Sequence, residues 1–422
     1  MKAVCLMLGL ILCFSPQGLQ AYSVLTHEQV VDLAWEDRIQ PMLLKRFPET
    51  TPDGLRHAHA FAYGGSLVQD MGYYPFGNKF FSDLLHYVRS GDMVVNLLKE
   101  ATDVNEYAFA LGALAHYSSD NMGHPTINQV VAIEFPKLRA RFGNEVTYAD
   151  DHKAHIRTEF GFDMVQVAKN RYTSDRYHDF IGFEIAKAPL ERAFLKTYAL
   201  ELKDVLGDED MAIGSFRRAV STFIPAMTRV ALLNRRADLV KDAPNPSTRK
   251  FLYQISRSNY EKEWGKGYRR PGIGSRILAF LLRKIPKVGP ATALDFKVPS
   301  TRTEDMYVKS VDRTMDNYHS LLAQAEHADL KLPNTDCDTG RFAAAAEYSL
   351  ADQTFARLLD QLDKKKFAQL TPELRTSILS FYSPSNPQVK TKKEQKAWIS
   401  TQRELEELKN WAAPEPASNP AN

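Results

Sequence analysis

Ala110-Leu111-Gly112-Ala113-Leu114-Ala115-His116-Tyr117-Ser118-Ser119-Asp120-Asn121-Met122-Gly123-His124-Pro125 decides how this 422-residue chain folds. His116, Asp120 and His124 recur at four-residue spacing, which stacks them on one face of a helix. The small residues ahead of them give that helix a face another helix can approach closely. Pro125 is expected to end it. A second pair at the same spacing follows in His155-Ile156-Arg157-Thr158-Glu159. Imidazole and carboxylate groups are costly in a core unless they have partners. As nitrogen and oxygen donors to zinc the same residues make chemical sense.

Working outward, apolar residues recur at three- and four-residue spacing through 30–44, 84–98, 107–117, 160–168 and 193–206. The pattern continues through 211–233, 277–282, 307–325 and 342–362. Alternating strand-like segments are scarce, so the expected class is all-α. Proline, glycine and asparagine mark the turn 71–78 and the linkers 242–248 and 332–340. The ligand-type residues singled out all precede position 160, and the region after 240 holds only His319 and His327. The chain therefore divides into residues 22–240, which carry the chemistry, and a helical extension over 241–411. The Pro- and Asn-rich tail 412–422 is expected to be disordered.

The first 21 residues read as a cleaved secretory signal. Lys2 supplies the positive end, Val4 to Phe14 the apolar run, and Leu19-Gln20-Ala21 the cleavage site. A secreted or periplasmic location follows. Cys337 is then the sole cysteine, so no internal disulfide reinforces the fold. Metal binding supplies such reinforcement. A net charge of +3 is too mild to argue for nucleic acid.

Four more residues have ligand chemistry. Thr26 is expected to cap the first helix. If Tyr22 begins the mature chain, its α-amine and carbonyl are metal donors, and His27 stands close enough to join them. Asp70 ends an apolar segment ahead of the aromatic turn Tyr73-Tyr74-Pro75-Phe76, which either rims a cleft or packs in the core. His86 sits among apolar and aromatic residues. His57 and His59, two apart, read as structural. His152 and His178 read as surface residues.

The order His27, Asp70, His86, His116-xxx-Asp120, His124, His155-xxx-Glu159 resembles the zinc-dependent phospholipase C family, whose fold is shared by zinc-dependent single-strand nucleases. The resemblance covers about residues 22–235 and implies two to three zinc ions. By it, Asp70, His86, His116 and Asp120 hold one ion, and His124, His155 and Glu159 a second. Tyr22, His27 and a bridging Asp120 hold a third. It implies hydrolysis of a phospholipid phosphodiester by a metal-activated water, with Asp70 as the catalytic carboxylate that orients or deprotonates it. Only three residues separate Asp120 from His124, a gap like that of the phospholipase D-type members. Glu159, where the nucleases carry aspartate, makes nucleic acid the lesser substrate.

The stretch 249–287 is densely basic, with Trp264, Tyr268 and an apolar run interleaved. It suits an anionic membrane surface, a polynucleotide backbone or a solvated helix face. A non-catalytic, zinc-stabilised membrane-binding module is the reading from another class.

Overall fold

The computed structural model describes residues 23–169, 183–224, 228, 231, 295–327, 330–383 and 391–412. Tyr22, the signal segment 1–21, the linker 242–248, the basic stretch 249–287, His178 and the tail from 413 lie outside the described residues. The described part is all-α. In chain order, α1 is Val24–Ala34, α2 Gln40–Arg46, α3 Pro52–Gly65, α4 Lys79–Tyr87, α5 Ser90–Glu100 and α6 Val104–Glu134. Then come α7 Pro136–Phe142, α8 His152–Ala168, α9 Lys187–Tyr198, α10 Leu202–Leu206 and α11 Glu209–Arg218. The later part holds α12 Thr301–Glu326, α13 Ser349–Lys364, α14 Pro372–Tyr382 and α15 Lys392–Asn410. Two short strands, β1 Thr335–Asp336 and β2 Arg341–Phe342, pair antiparallel with Thr335 opposite Phe342. No described helix is long and apolar enough to cross a membrane.

The long α6 is the axis of the molecule. Asp103 caps it by accepting from the backbone N–H groups of Asn105 (2.8 Å) and Glu106 (2.9 Å). The helix is buried on nearly every face, so its sequence is apolar all round rather than striped. α3 lies against one side, and Gly65 and Gly112 permit the backbones to touch there. α12 lies against another side. The Tyr318 hydroxyl donates to the Leu111 carbonyl at 2.9 Å, and Arg313 donates to the Thr126 hydroxyl at 2.7 Å. One hydrophobic core runs from Val24 in α1 through Leu111 to Leu322, Phe355 and Leu408, so the later helices complete the core begun by the earlier ones.

Several local expectations are corrected. α6 does not end at Pro125 but continues to Glu134. The proline removes one helical hydrogen bond, at about 3 kcal/mol. Packing offsets that, since Ile127, Val130 and Val131 beyond it are buried against Phe162, Tyr307 and Val311. Thr26 is not the cap of α1, a position held by Ser23. The Thr26 hydroxyl instead donates to Asp163 Oδ1 at 2.8 Å, while Leu25 N–H donates to Oδ2 at 3.1 Å. The start of α1 is thereby tied to α8. The runs 84–98 and 193–206 each break into two helices, at Arg89 (φ 51°) and Ala199 (φ 54°). The Arg89 side chain fixes its break by reaching Asp92 (2.7 Å) and the Thr197 carbonyl (2.9 Å).

The stretch 332–340 is no linker. Tyr117 donates to the Pro333 carbonyl at 2.7 Å, the Thr335 hydroxyl to Asn121 Oδ1 at 2.6 Å, and Cys337 N–H to the His86 carbonyl at 3.0 Å. Gly340 closes the turn at φ 69°. It needs glycine twice over, since a Cβ there would also lie 2.8 Å from the Asn121 carbonyl oxygen.

Candidate metal centre

His27 comes from α1 and Asp70 from a 3₁₀ turn over Val68–Tyr73. His86 lies at the end of α4, His116, Asp120 and His124 along α6, and His155 and Glu159 on α8. All eight are buried, with Asp70 the most exposed at 3%. Five separate elements thus aim ionisable groups into the same interior, an arrangement that needs a compensating charge.

The first cluster is tight. Asp120 Oδ2 lies 3.1 Å from His116 Nε2 and 3.3 Å from His86 Nε2, and the two Nε2 atoms are 3.3 Å apart. Asp70 Oδ1 is 3.5 Å from His86 Nε2. The rings are held from behind. His86 Nδ1 sits 2.7 Å from the Ser82 carbonyl and His116 Nδ1 2.8 Å from the Ser66 carbonyl. A carbonyl only accepts, so each Nδ1 must carry the proton, and this hydrogen-bond pattern assigns the tautomer. In a neutral ring each Nε2 is then a bare lone pair. With both rings neutral, two imidazole lone pairs would face carboxylate oxygens with nothing donated between them, so the cluster calls for either a metal or an added proton. Tetrahedral zinc at 2.0–2.2 Å from its donors would separate neighbouring donor atoms by about 3.3 Å. The cluster has that spacing, and the donor set fits zinc.

Asp120 also reaches a second group. Its Oδ1 is 3.7 Å from His27 Nε2, whose ring stacks on His116 with centroids 4.3 Å apart. His27, His116 and Asp120 can share one ion, as can Asp70, His86 and His116. Asp120 is therefore the hinge between two ligand sets.

The pair on α8 meets as expected, with Glu159 Oε1 3.3 Å from His155 Nδ1. His155 Nε2 is tethered to the Val146 carbonyl at 2.6 Å. His124 stands apart from this pair. Its ring centroid is 6.4 Å from that of His155, and its Nδ1 faces Asp338 Oδ1 at 3.0 Å. Asp338 lies in the turn between β1 and β2, and the sequence reading did not single it out. Among the other histidines, His59 binds Asp32 at 2.8 Å and stacks on Trp35, a structural role, and His57 is exposed. Of the aromatic turn, Tyr73 and Tyr74 are buried and Phe76 is exposed.

Electrostatics follow the crowding. Burial pushes the Asp70 carboxyl up to about 7. Burial works against charge on His86, yet the Asp120 and Asp70 carboxylates outweigh it and raise the ring to about 9. Burial likewise opposes charge on Asp120, but His116 and His86 hold it well below the usual carboxylate range. His27 is driven well below 6.5 by burial and by the neighbouring His116. In the metal-free protein, protons on His86 and Asp70 thus stand in for a cation.

A pH prediction follows. A histidine whose folded pKa lies above its unfolded value stabilises fully below the unfolded pKa, and that stability is lost as pH rises through the folded one. His86 therefore makes the metal-free protein less stable from about 6.5 to about 9. Asp70, raised from 3.8 to about 7, acts in the same direction at the lower end. Zinc needs deprotonated ligands, so its binding strengthens over that range. The expected result is a gap in melting temperature, between zinc-loaded and chelated protein, that widens from pH 6.5 to pH 9. A gap that stays constant would mean that these groups do not face a metal.

Comparison with known protein families gives one match. The profile described as zinc dependent phospholipase C matches residues 26–207, which include all eight clustered residues. The comparisons with curated proteins and with solved structures find no match. Residues 26–207, somewhat under half of the chain, are thus similar to the zinc-dependent phospholipase C family.

Proposed function

We propose that the protein is a secreted zinc phosphodiesterase that hydrolyses phospholipids at the phosphorus–glycerol side, as a phospholipase C. The observation that carries this reading is the buried face-to-face set of Asp70, His86, His116 and Asp120, inside a segment that matches the family. Asp70, His86, His116 and Asp120 hold one ion. His124, His155 and Glu159 hold a second, and Tyr22 with His27 and Asp120 a third. Bound zinc supplies the Lewis acidity that clamps phosphate oxygens and makes a water nucleophilic near neutral pH.

The chain's own groups do the rest. Ser82 and Ser66 carbonyls fix the His86 and His116 rings with Nε2 forward. Asp70 Oδ1, buried and without a hydrogen-bond partner, is the oxygen that receives a proton from the attacking water. Residues 249–287 give the peripheral contact with an anionic membrane surface.

The test uses the chain beginning at Tyr22, with its zinc content measured, on mixed phospholipid vesicles with and without chelator. Chelator-sensitive release of a phosphorylated headgroup and diacylglycerol is expected. Phosphatidic acid as the product would replace C-type with D-type cleavage, the alternative favoured by the short Asp120–His124 gap. Bound zinc with no lipid cleavage, but with hydrolysis of single-stranded nucleic acid, would make the protein a nuclease on this fold.

A further inference from the structure

We propose that Asp338, from the part of the chain beyond the family match, positions His124 as a metal ligand. The inference rests on the reading of the site as a zinc centre. Each of the other three buried α4, α6 and α8 histidines has one ring nitrogen tethered to a backbone carbonyl: His86 to Ser82, His116 to Ser66, His155 to Val146. The opposite nitrogen of each is turned towards a carboxylate of the cluster. His124 has no carbonyl tether. Its Nδ1 lies 3.0 Å from Asp338 Oδ1, an ion-pair approach whose angle falls short of a hydrogen bond, and its buried Nε2 has no hydrogen-bond partner. A ligating histidine commonly donates its other N–H to a carboxylate, which sets the ring orientation and raises the basicity of the donor nitrogen. Asp338 Oδ1 stands within reach of that place, where a small turn of the His124 ring would complete the bond.

The carboxylate is itself held. Tyr87 donates to Oδ2 at 2.8 Å, and Tyr348 donates to the same oxygen. This leaves Oδ1 for His124. Backbone contacts fix the turn that carries it: Asn128 Nδ2 donates to the Asp338 carbonyl at 2.9 Å, and Ser90 Oγ to the Thr335 carbonyl at 2.7 Å. Asp338 is wholly buried. A charged side chain delivered this far into the interior, on a turn braced from α5 and α6 and closed by Gly340, is not surface decoration. The second ion's histidine is thus oriented by a residue 214 positions later in the chain.

The test compares the full mature protein with Asp338→Asn and Tyr348→Phe. Zinc affinity is read by chelator competition, and the visible spectrum is recorded after cobalt(II) replacement. Asp338→Asn is expected to weaken one metal equivalent by about 10–100-fold and to alter its cobalt bands, with the remaining equivalents within about twofold of wild type. Tyr348→Phe, which keeps the carboxylate, is expected to act in the same direction with a smaller loss, and it carries the test if Asp338→Asn does not fold. Unchanged affinity and spectrum would overturn the proposal. So would a parallel loss of all equivalents accompanied by collapse of the metal-free melt, which marks a purely structural aspartate. Wild-type protein that binds no zinc would instead overturn the zinc reading itself.

Discussion

Asp120→Asn should abolish phosphodiester hydrolysis and remove at least one equivalent of zinc, while the helical fold survives. Among the described residues Asp120 is the carboxylate that faces three imidazoles: Oδ2 at 3.1 Å from His116 and 3.3 Å from His86, Oδ1 at 3.7 Å from His27. Its two oxygens therefore serve two ligand sets at once. Asparagine keeps the shape but replaces one oxygen with an N–H₂ that cannot ligate, and it deletes the negative charge that balances a dication. Groups that merely support a zinc ligand cost about 10–100-fold when lost. Loss of a shared ligand should cost more, on the order of 10³-fold in kcat/KM. Helicity should persist, because α6 is held by α3 and α12 rather than by this one charge. Steady-state hydrolysis, zinc content and far-ultraviolet circular dichroism on one preparation check the three parts. A variant that loses only melting temperature, with wild-type turnover, would favour a non-catalytic zinc-stabilised module.

The site was legible where its chemistry is local. His116, Asp120 and His124 announce themselves because four-residue spacing on a helix is spatial adjacency, and α6 does carry all three. His155 and Glu159 obey the same arithmetic. Asp70 and His86, each alone in its segment, become ligand candidates only through the ordered pattern, since nothing local to either residue separates a ligand from a capped or hydrogen-bonded core group. Asp338 was invisible for a different reason. Its turn, Asp336-Cys337-Asp338-Thr339-Gly340, has an ordinary loop composition, and its meaning comes from docking on a helix more than two hundred residues away. The breaks at Arg89 and Ala199 were hidden because non-glycine residues rarely adopt positive φ, so propensity argues for continuous helices there. Pro125 misled in the opposite sense: a local helix breaker was overruled by burial on both sides of it.

Gly112→Ala should be among the most destabilising single-methyl changes in the molecule and should disarm the metal centre without touching a ligand. A Cβ on Gly112 would press directly on the Ala62 carbonyl oxygen and would also lie 2.9 Å from Ser66 N and from the Ala62 carbonyl carbon. Gly65 is the mirror case, where a Cβ would meet the Phe109 carbonyl and lie 3.0 Å from Ala113 N. These obstacles are helix backbone and cannot rotate aside as a side chain would. Relief requires α3 and α6 to move apart, which opens the contact along its length. Overpacking a core commonly costs about 1–3 kcal/mol, and a backbone clash of this kind belongs at or above the upper end. The shift also reaches the chemistry. Ser66, one residue beyond α3, supplies the carbonyl that holds His116 Nδ1 at 2.8 Å. Displacing α3 frees the His116 ring, and with it the 3.1 Å approach of Nε2 to Asp120. Thermal melting of the chelated protein should fall by several degrees. Zinc affinity, read separately by chelator competition at a temperature where the variant is still folded, should fall as well. Gly214→Ala is the matching control: a Cβ there meets nothing within 4 Å, and α11 carries no ligand. Its melt should hold or rise slightly, since alanine is favoured over glycine inside a helix by about 1 kcal/mol, and its zinc affinity should stay at the wild-type value. Lowered stability with wild-type zinc affinity in Gly112→Ala would show that the helix contact and the His116 tether are independent.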